Sequence, residues 1–307
     1  MSRRGWVLFG LMCVIWGIPY VLIKIAVGGV SVPVVVFTRT AVGALVLWPL
    51  AARAPHVLTT LRRHWLPLLG FAAFEMIGPW WLLSDAEHRL ASSLTGLLIA
   101  AVPIIGALLA VAARDAEHFG PLRWIGLLVG LAGVVLLALP HLDGGDAWPV
   151  CEVVLTAVGY AVAPRIAARR LRDVPGALMT ATCLSIAALV YVAPAVITRP
   201  TALPSTSVLV ALGGLAVVCT ALAFLVFFRL INEVGPARAV VFTYVNPFVS
   251  VLAGAVILNE QITALTIVAF ALVLAGSLLA AGRVGSDQDR GRRRALGKGG
   301  AGRTVAH

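Results

Sequence analysis

Apolar residues run along this chain in blocks of roughly 20, separated by short links marked by Pro, Gly, Asp and Ser. A block of that length covers about 30 Å of hydrocarbon as a helix, and in lipid the backbone polar groups must be satisfied within the segment, so helices are predicted and not strands. Ten blocks meet the requirement. In the first half they are Trp6–Val27, Pro33–Ala52, Trp65–Leu83, Leu90–Ala113 and Leu122–Leu139. In the second they are Trp148–Ala168, Gly176–Ile197, Ser207–Ile231, Pro236–Leu258 and Thr263–Gly282. Links such as Val30-Ser31-Val32-Pro33 leave no room for a separate soluble domain.

Composition and charge agree with that pattern. Sixty per cent of the residues are hydrophobic, 12% are charged and the mean hydropathy is +0.99, more apolar surface than a soluble fold can hide. With a cytoplasmic amino terminus, 20 of the 24 Lys and Arg fall in inside segments, only Arg89 and Arg199 in outside loops, and Lys24 and Arg39 within spans. This positive-inside asymmetry supports ten crossings with both termini cytoplasmic, because one helix more or fewer would scramble the alternation. It also accounts for the net charge of +11 without a nucleic-acid partner. The basic segment 283–307 reads as a disordered cytoplasmic tail, and Met1 to Lys24 as a retained first helix, since no Ala-x-Ala cleavage site follows it.

The two halves share punctuation. Pro103, Glu117 and Ala132-Gly133 recur as Pro247, Glu260 and Ala275-Gly276, displaced by 144, 143 and 143 positions. The chain is therefore read as two five-helix units, residues 6–139 and 148–282. An odd number of spans puts the second unit upside down in the bilayer, the inverted-repeat architecture of carriers, around a central cavity.

Several residues stand out by depth at about 1.5 Å of rise per residue. Lys24 lies roughly 5 Å inside its span and can snorkel. Arg39 lies near 9 Å, at the limit of a guanidinium's reach, and Glu75 about 15 Å deep, beyond escape. Glu75, read as the one deep acidic residue, is the leading candidate for a substrate-cation or proton site; the alternative is a pair with Arg39 or Lys24 that ties helices together. Trp16, Tyr20 and Lys24 recur every four residues and would share one helix face. Tyr160 beside Gly159, Tyr244 and Asn246 are further candidates for the solute site, with packing as the competing role. Pro103 and Pro247 would bend their helices and serve as paired gates or static kinks. Glu117 and Glu260 each precede a helix start, where a carboxylate complements the dipole.

Cys13, Cys151, Cys183 and Cys219 show no metal-like pairing, and the histidines fall in links or the tail. No metal or cofactor is expected, and the absence of zincin, nucleophile-elbow and phosphate-loop motifs speaks against an embedded hydrolase or an ATP-driven pump.

The residues resemble a known family. Trp16-Gly17 with Lys24, Arg39 in the second helix, and the Pro103 and Pro247 helices leading to Glu and Ala-Gly are similar to the EamA family of the drug/metabolite transporter superfamily. So is the stretch from Arg229 through Asn232-Glu233-Val234-Gly235-Pro236 to Asn246-Pro247 and Asn259-Glu260. Arg114-Asp115-Ala116-Glu117-His118-Phe119-Gly120 is longer than the usual Gly-Glu turn, and Glu75 with Gly78-Pro79-Trp80-Trp81 is unusual in the third helix. The resemblance implies a ten-helix inner-membrane carrier of small metabolites or drugs, often an exporter, with a cavity face carrying Trp16, Tyr20 and Lys24. Proton coupling through Glu75 is an expectation; a membrane enzyme and a non-transporting membrane protein are the alternatives.

Overall fold

A computed structural model describes residues 1–113, 120–142 and 147–281. The Glu117 link and the tail from 282 onward lie outside the described residues. The described chain is all helix. Eight helices are long and apolar enough to cross a membrane: α1 Arg3–Val27, α2 Val32–Ala51, α3 Val57–Ala86, α4 Ser92–Ala112, α5 Pro121–Leu142, α6 Ala147–Arg170, α7 Gly176–Ile197 and α8 Thr206–Val234. Two shorter apolar helices follow, α9 Asn246–Leu258 and α10 Ala264–Ala281. The expected ninth block, Pro236–Leu258, is thus not one rod. It opens with a single turn, Pro236–Ala239, and a 3₁₀ turn, Val240–Tyr244, before α9 begins.

Helix breaks follow the chemistry of proline, which lacks an amide and crowds the preceding turn. α1 stops at Ile15 and resumes at Pro19, whose missing amide leaves Ile15 without its donor four residues on. α4 stops at Ile99 and resumes at Val102, with Pro103 in the first turn of the second piece. Pro247 occupies the same place at the start of α9. These two prolines therefore begin new segments after a break; they do not bend a continuous rod. α3 leaves helical angles at His64 (φ −110°, ψ 15°), three residues ahead of Pro67, so the apolar block expected from Trp65 starts just past that kink.

Two helices widen into π turns. In α3 the turn is Ala73–Ile77, immediately ahead of Pro79, and the wider ring absorbs the amide that Pro79 cannot give to Glu75. In α8 it is Gly214–Leu222, opening on the Gly213-Gly214 pair. The ends of these turns are 141 and 145 positions apart (214 − 73 and 222 − 77), close to the displacement of the sequence repeat.

Close helix crossings need small residues, since lipid offers no hydrophobic drive to associate. α5 packs on α10 backbone to backbone: a Cβ on Gly276 would come within 2.3 Å of Gly130 N, and one on Gly133 within 2.8 Å of Ala269 O. α2 packs on α7 with Trp48 Nε1 donating to Ser185 Oγ at 2.8 Å, and α4 meets α9 where Gly96 lies under Ser250. α3 lies against α6, and α1 against α8.

Gly276→Ala puts a methyl group against backbone that cannot rotate away, so thermal unfolding in detergent is expected to show a loss of about 1–3 kcal/mol. Gly10→Ala, at a site with nothing within 4 Å, is expected to leave the midpoint in place.

Candidate functional site

The buried charge of α2 meets the π turn of α8. Arg39 is 7% exposed. Its Nε donates to Thr220 Oγ1 at 2.9 Å, and its guanidinium carbon stands 3.8 Å over the Trp80 ring of α3. Thr220 can accept because its own proton is given to Leu215 O, five residues back along the widened turn, at 2.9 Å. The π turn thus aims a hydroxyl lone pair at the cation.

Glu75 rises from the other π turn and takes neither cation expected for it. Arg39 is held by Thr220 and Trp80, while Lys24 Nζ donates to the carbonyls of Glu87 at 2.6 Å and Leu90 at 2.8 Å. The alternative of a helix-tying ion pair is therefore not what the side chains form. Tyr160 of α6 interacts electrostatically with both Glu75 and Arg39, and Tyr20 of α1 interacts with Arg39 as well. Tyr20 is 8% exposed and Trp80 is buried, so this centre is packed in the present conformation.

Trp16 does not share one continuous face with Tyr20 and Lys24, because the break ahead of Pro19 falls between it and them. Trp16 ends the first piece of α1, donates from Nε1 to Cys219 O at 3.2 Å and sits among Phe224, Phe227 and Phe242. Tyr20 interacts electrostatically with Glu87 and Arg39. Asn246 is committed to backbone: with its amide nitrogen turned toward two acceptors, it donates to Phe242 O (3.1 Å) and Cys13 O (3.2 Å). Tyr244 lies half-buried in the 3₁₀ turn just before it.

Glu260 does complement a helix dipole, but the helix is α4 and not its own α10. Its Oε1 accepts from Ser92 N at 2.7 Å and its Oε2 from Ser93 N at 2.9 Å. Burial pushes its carboxyl up, and the bonds from Ser93 and Ser92 outweigh that, leaving it below its ordinary value. Two further acids escaped the depth argument. Glu152 of α6 is 2% exposed and interacts with Asp85 of α3. Glu87, just past α3, is 0% exposed. Glu75, itself only partly buried, is thus not alone among acids set within the helices, and the positions of Glu152 near Trp148 and of Glu87 in a link gave no sign of their burial.

A cleft of about 380 Å³ opens elsewhere, between α4 and α6, lined by Leu109, Ala113 and the Arg165, Arg169 and Arg170 end of α6. Its α6 residues Val162 and Ile166 lie on the face turned away from Tyr160, since two residues of helix rotate the side chain by about 200°. The cleft is not continuous with the Arg39 centre by that face.

Spanning helices broken at depth around buried, oppositely charged side chains define a polytopic membrane protein of the carrier type. The chain belongs to the EamA-like transporter family, whose profile matches it twice, over residues 3–139 and 147–282, and it is a transporter of that family. It is 28% identical over 277 residues to the uncharacterized inner membrane transporter YedA of Escherichia coli strain K12, covering 85% of this chain and 87% of the relative. The YedA proteins of strains CFT073 and O157:H7 match equally. A solved structure titled only as the crystal structure of a protein superposes with a TM-score of 0.65 at 19% identity, over 92% of this chain and 98% of the other, and shares the fold.

Trp16→Phe keeps the aromatic contacts and removes only the N–H on Cys219 O. A buried carbonyl left unpaired costs about 1–3 kcal/mol, so the variant is expected to unfold at lower temperature in detergent, whereas an unchanged midpoint would mean that Cys219 O finds another donor.

Proposed function

We propose that the chain is a secondary-active, alternating-access exporter of small dipolar metabolites, amino acids or their relatives, resident in the inner membrane that the names of its YedA relatives specify. Ten crossings form two inverted five-helix repeats with both termini cytoplasmic. Supporting the repeat are the double family match, the paired π turns of α3 and α8, and the glycine contact of α5 with α10. Supporting the orientation is the Lys and Arg asymmetry.

The carrying observation is that Arg39 and Glu75, charges of opposite sign, both interact with Tyr160 and yet do not pair with each other. With the repeat displacement of 144, Glu75 corresponds to Cys219 and Arg39 to Cys183, and the structure sets Arg39 near Cys219 and Glu75 near Cys183. Two equivalent helix contacts therefore carry a cation on one side and an anion on the other. A solute with a carboxylate for Arg39 and an ammonium for Glu75 would satisfy both without disturbing either helix. Tyr160 interacts with both charges and Tyr20 with Arg39, Trp16 shapes the aromatic wall nearby, and the segment starts at Pro103 and Pro247 supply the joints that move. Glu75 is also the group through which flux would couple to protons.

Counterflow of labelled solutes in proteoliposomes tests this reading. The wild type is expected to exchange α-amino acids and to discriminate against the matching amine and the matching carboxylic acid by about tenfold or more, roughly 1.4 kcal/mol. Glu75→Gln is expected to lose ammonium discrimination and pH-driven flux, and Arg39→Gln carboxylate discrimination, with folding preserved. Equal transport of all three solutes by the wild type, or unchanged flux of Glu75→Gln at every pH, overturns it.

A further inference from the structure

The end of the molecule opposite the amino terminus is held shut by charges drawn from distant parts of the chain. Residues 87–91 link α3 to α4. Lys24 grips the link by its Glu87 and Leu90 carbonyls, and Glu260 grips the start of α4 by the Ser92 and Ser93 amides. The Glu87 side chain is enclosed between these grips. It is 0% exposed, and neither Oε1 nor Oε2 has a hydrogen-bond partner. The neighbouring Thr95 hydroxyl gives its proton to Ala91 O at 3.1 Å and has none for the carboxyl.

The groups facing Glu87 are few and come from three elements. Tyr20 and Lys24 belong to α1, Thr95 to α4 and Glu260 to the α9–α10 link. Lys24 is the cation and already serves two carbonyls; Glu260 is an anion already serving two amides. An ionised Glu87 would therefore leave the enclosure with an excess negative charge and two orphaned acceptor oxygens, each expensive out of water. A neutral carboxyl removes the excess and balances Lys24 against Glu260.

We propose that Glu87 is a proton-binding site that latches this end of the carrier: the protonated carboxyl lets the 87–91 link close beneath Lys24 and Glu260, and loss of the proton releases the link. Burial is the largest influence on the group and pushes its carboxyl well above the ordinary range; Lys24 pulls it down and Glu260 pushes it further up. The sign follows from linkage. A carboxyl with a raised value in the closed form and an ordinary one when hydrated favours closure at low pH, and that preference is lost as pH rises through the raised value. Proton binding stands on the enclosure alone; the word latch rests on the alternating-access reading.

Infrared difference spectroscopy of the purified protein in liposomes, titrated in pH, reads the proton directly. A protonated-carboxyl band is expected to vanish at a pH well above the ordinary carboxylate range, to be missing in Glu87→Gln, to move to higher pH in Lys24→Met and to lower pH in Glu260→Gln. The two flanking variants keep the test alive if Glu87→Gln does not fold. Closure is read by spin labels at His88→Cys and Leu203→Cys, two exposed positions at this end, in a Cys151→Ser background. The label distance is expected to lengthen on raising pH, and Glu87→Gln is expected to stay short throughout. A band undiminished in Glu87→Gln, or flanking variants that leave its midpoint in place, overturns the proton site. A pH-independent distance, or a Glu87→Gln response identical to the wild type, overturns the latch. Failure of amino-acid counterflow with a titrating Glu87 band would instead sink the transport reading and leave this one standing.

Discussion

Hydrocarbon offers no water to a loose backbone group, and everything unusual in this fold answers that constraint. A helix broken at depth releases carbonyls, and each one must find a donor from another helix. The breaks here are met in that way. Asn246 serves Cys13 O beside the α1 break and Phe242 O in the 3₁₀ turn; Ser277 Oγ donates to Ala100 O at the α4 break. Around the α3 π turn, Tyr191 OH donates to Ile77 O at 2.7 Å and Thr156 Oγ1 to Pro79 O at 3.3 Å. The α8 turn is served by Trp16 on Cys219 O. Polar side chains in such a core are the complement of irregular backbone, and their presence alone says nothing of a solute.

That separates structural polar residues from the ones left over. Trp16, Lys24 and Asn246 are occupied by carbonyls and Glu260 by amides, so their first duty is to hold breaks and ends. Arg39 is occupied on one side only: one bond to a threonine and one aromatic face leave most of its five donors to be placed. Glu75 and Glu87 have less still. The groups that the fold does not consume are therefore a short series running through two tyrosines, Glu75 to Tyr160 to Arg39 to Tyr20 to Glu87, each interacting electrostatically with the next.

Much of this was legible in the sequence, and the rest was hidden for physical reasons. Span positions follow from hydrophobic run length, and nine of the ten blocks coincide with described helices to within a few residues at most ends. The exception at Pro236–Leu258 and the overrun to Val57 in α3 arise where glycine, proline and a left-handed His56 (φ 53°) redirect the backbone inside or beside an apolar run. Prolines announced the breaks but not their form. A four-residue spacing placed Trp16 and Tyr20 on one face only so long as Pro19 was read as part of a straight helix. The π turns leave hydrophobicity unchanged and so have no trace in its period. Glu87 was invisible because a charge in a link is ordinary until partners 63 residues before it, at Lys24, and 173 after it, at Glu260, close over it.

On the alternating-access reading, the arrangement gives the empty carrier a reason to move. A buried charge without a counter-charge is costly, and the cost falls when a mobile ion or solute supplies what is missing. At the centre, Arg39 and Glu75 do not pair with each other; at the end, the buried Glu87 lies beside Lys24 and Glu260, both of them already engaged. On the proposed reading one site would be relieved by a dipolar solute and the other by a proton. On that reading Tyr20, which interacts with both Arg39 and Glu87, would link the two sites. Coupling of this kind needs no moving wire of contacts, only two conformations that differ in how well each charge is hydrated.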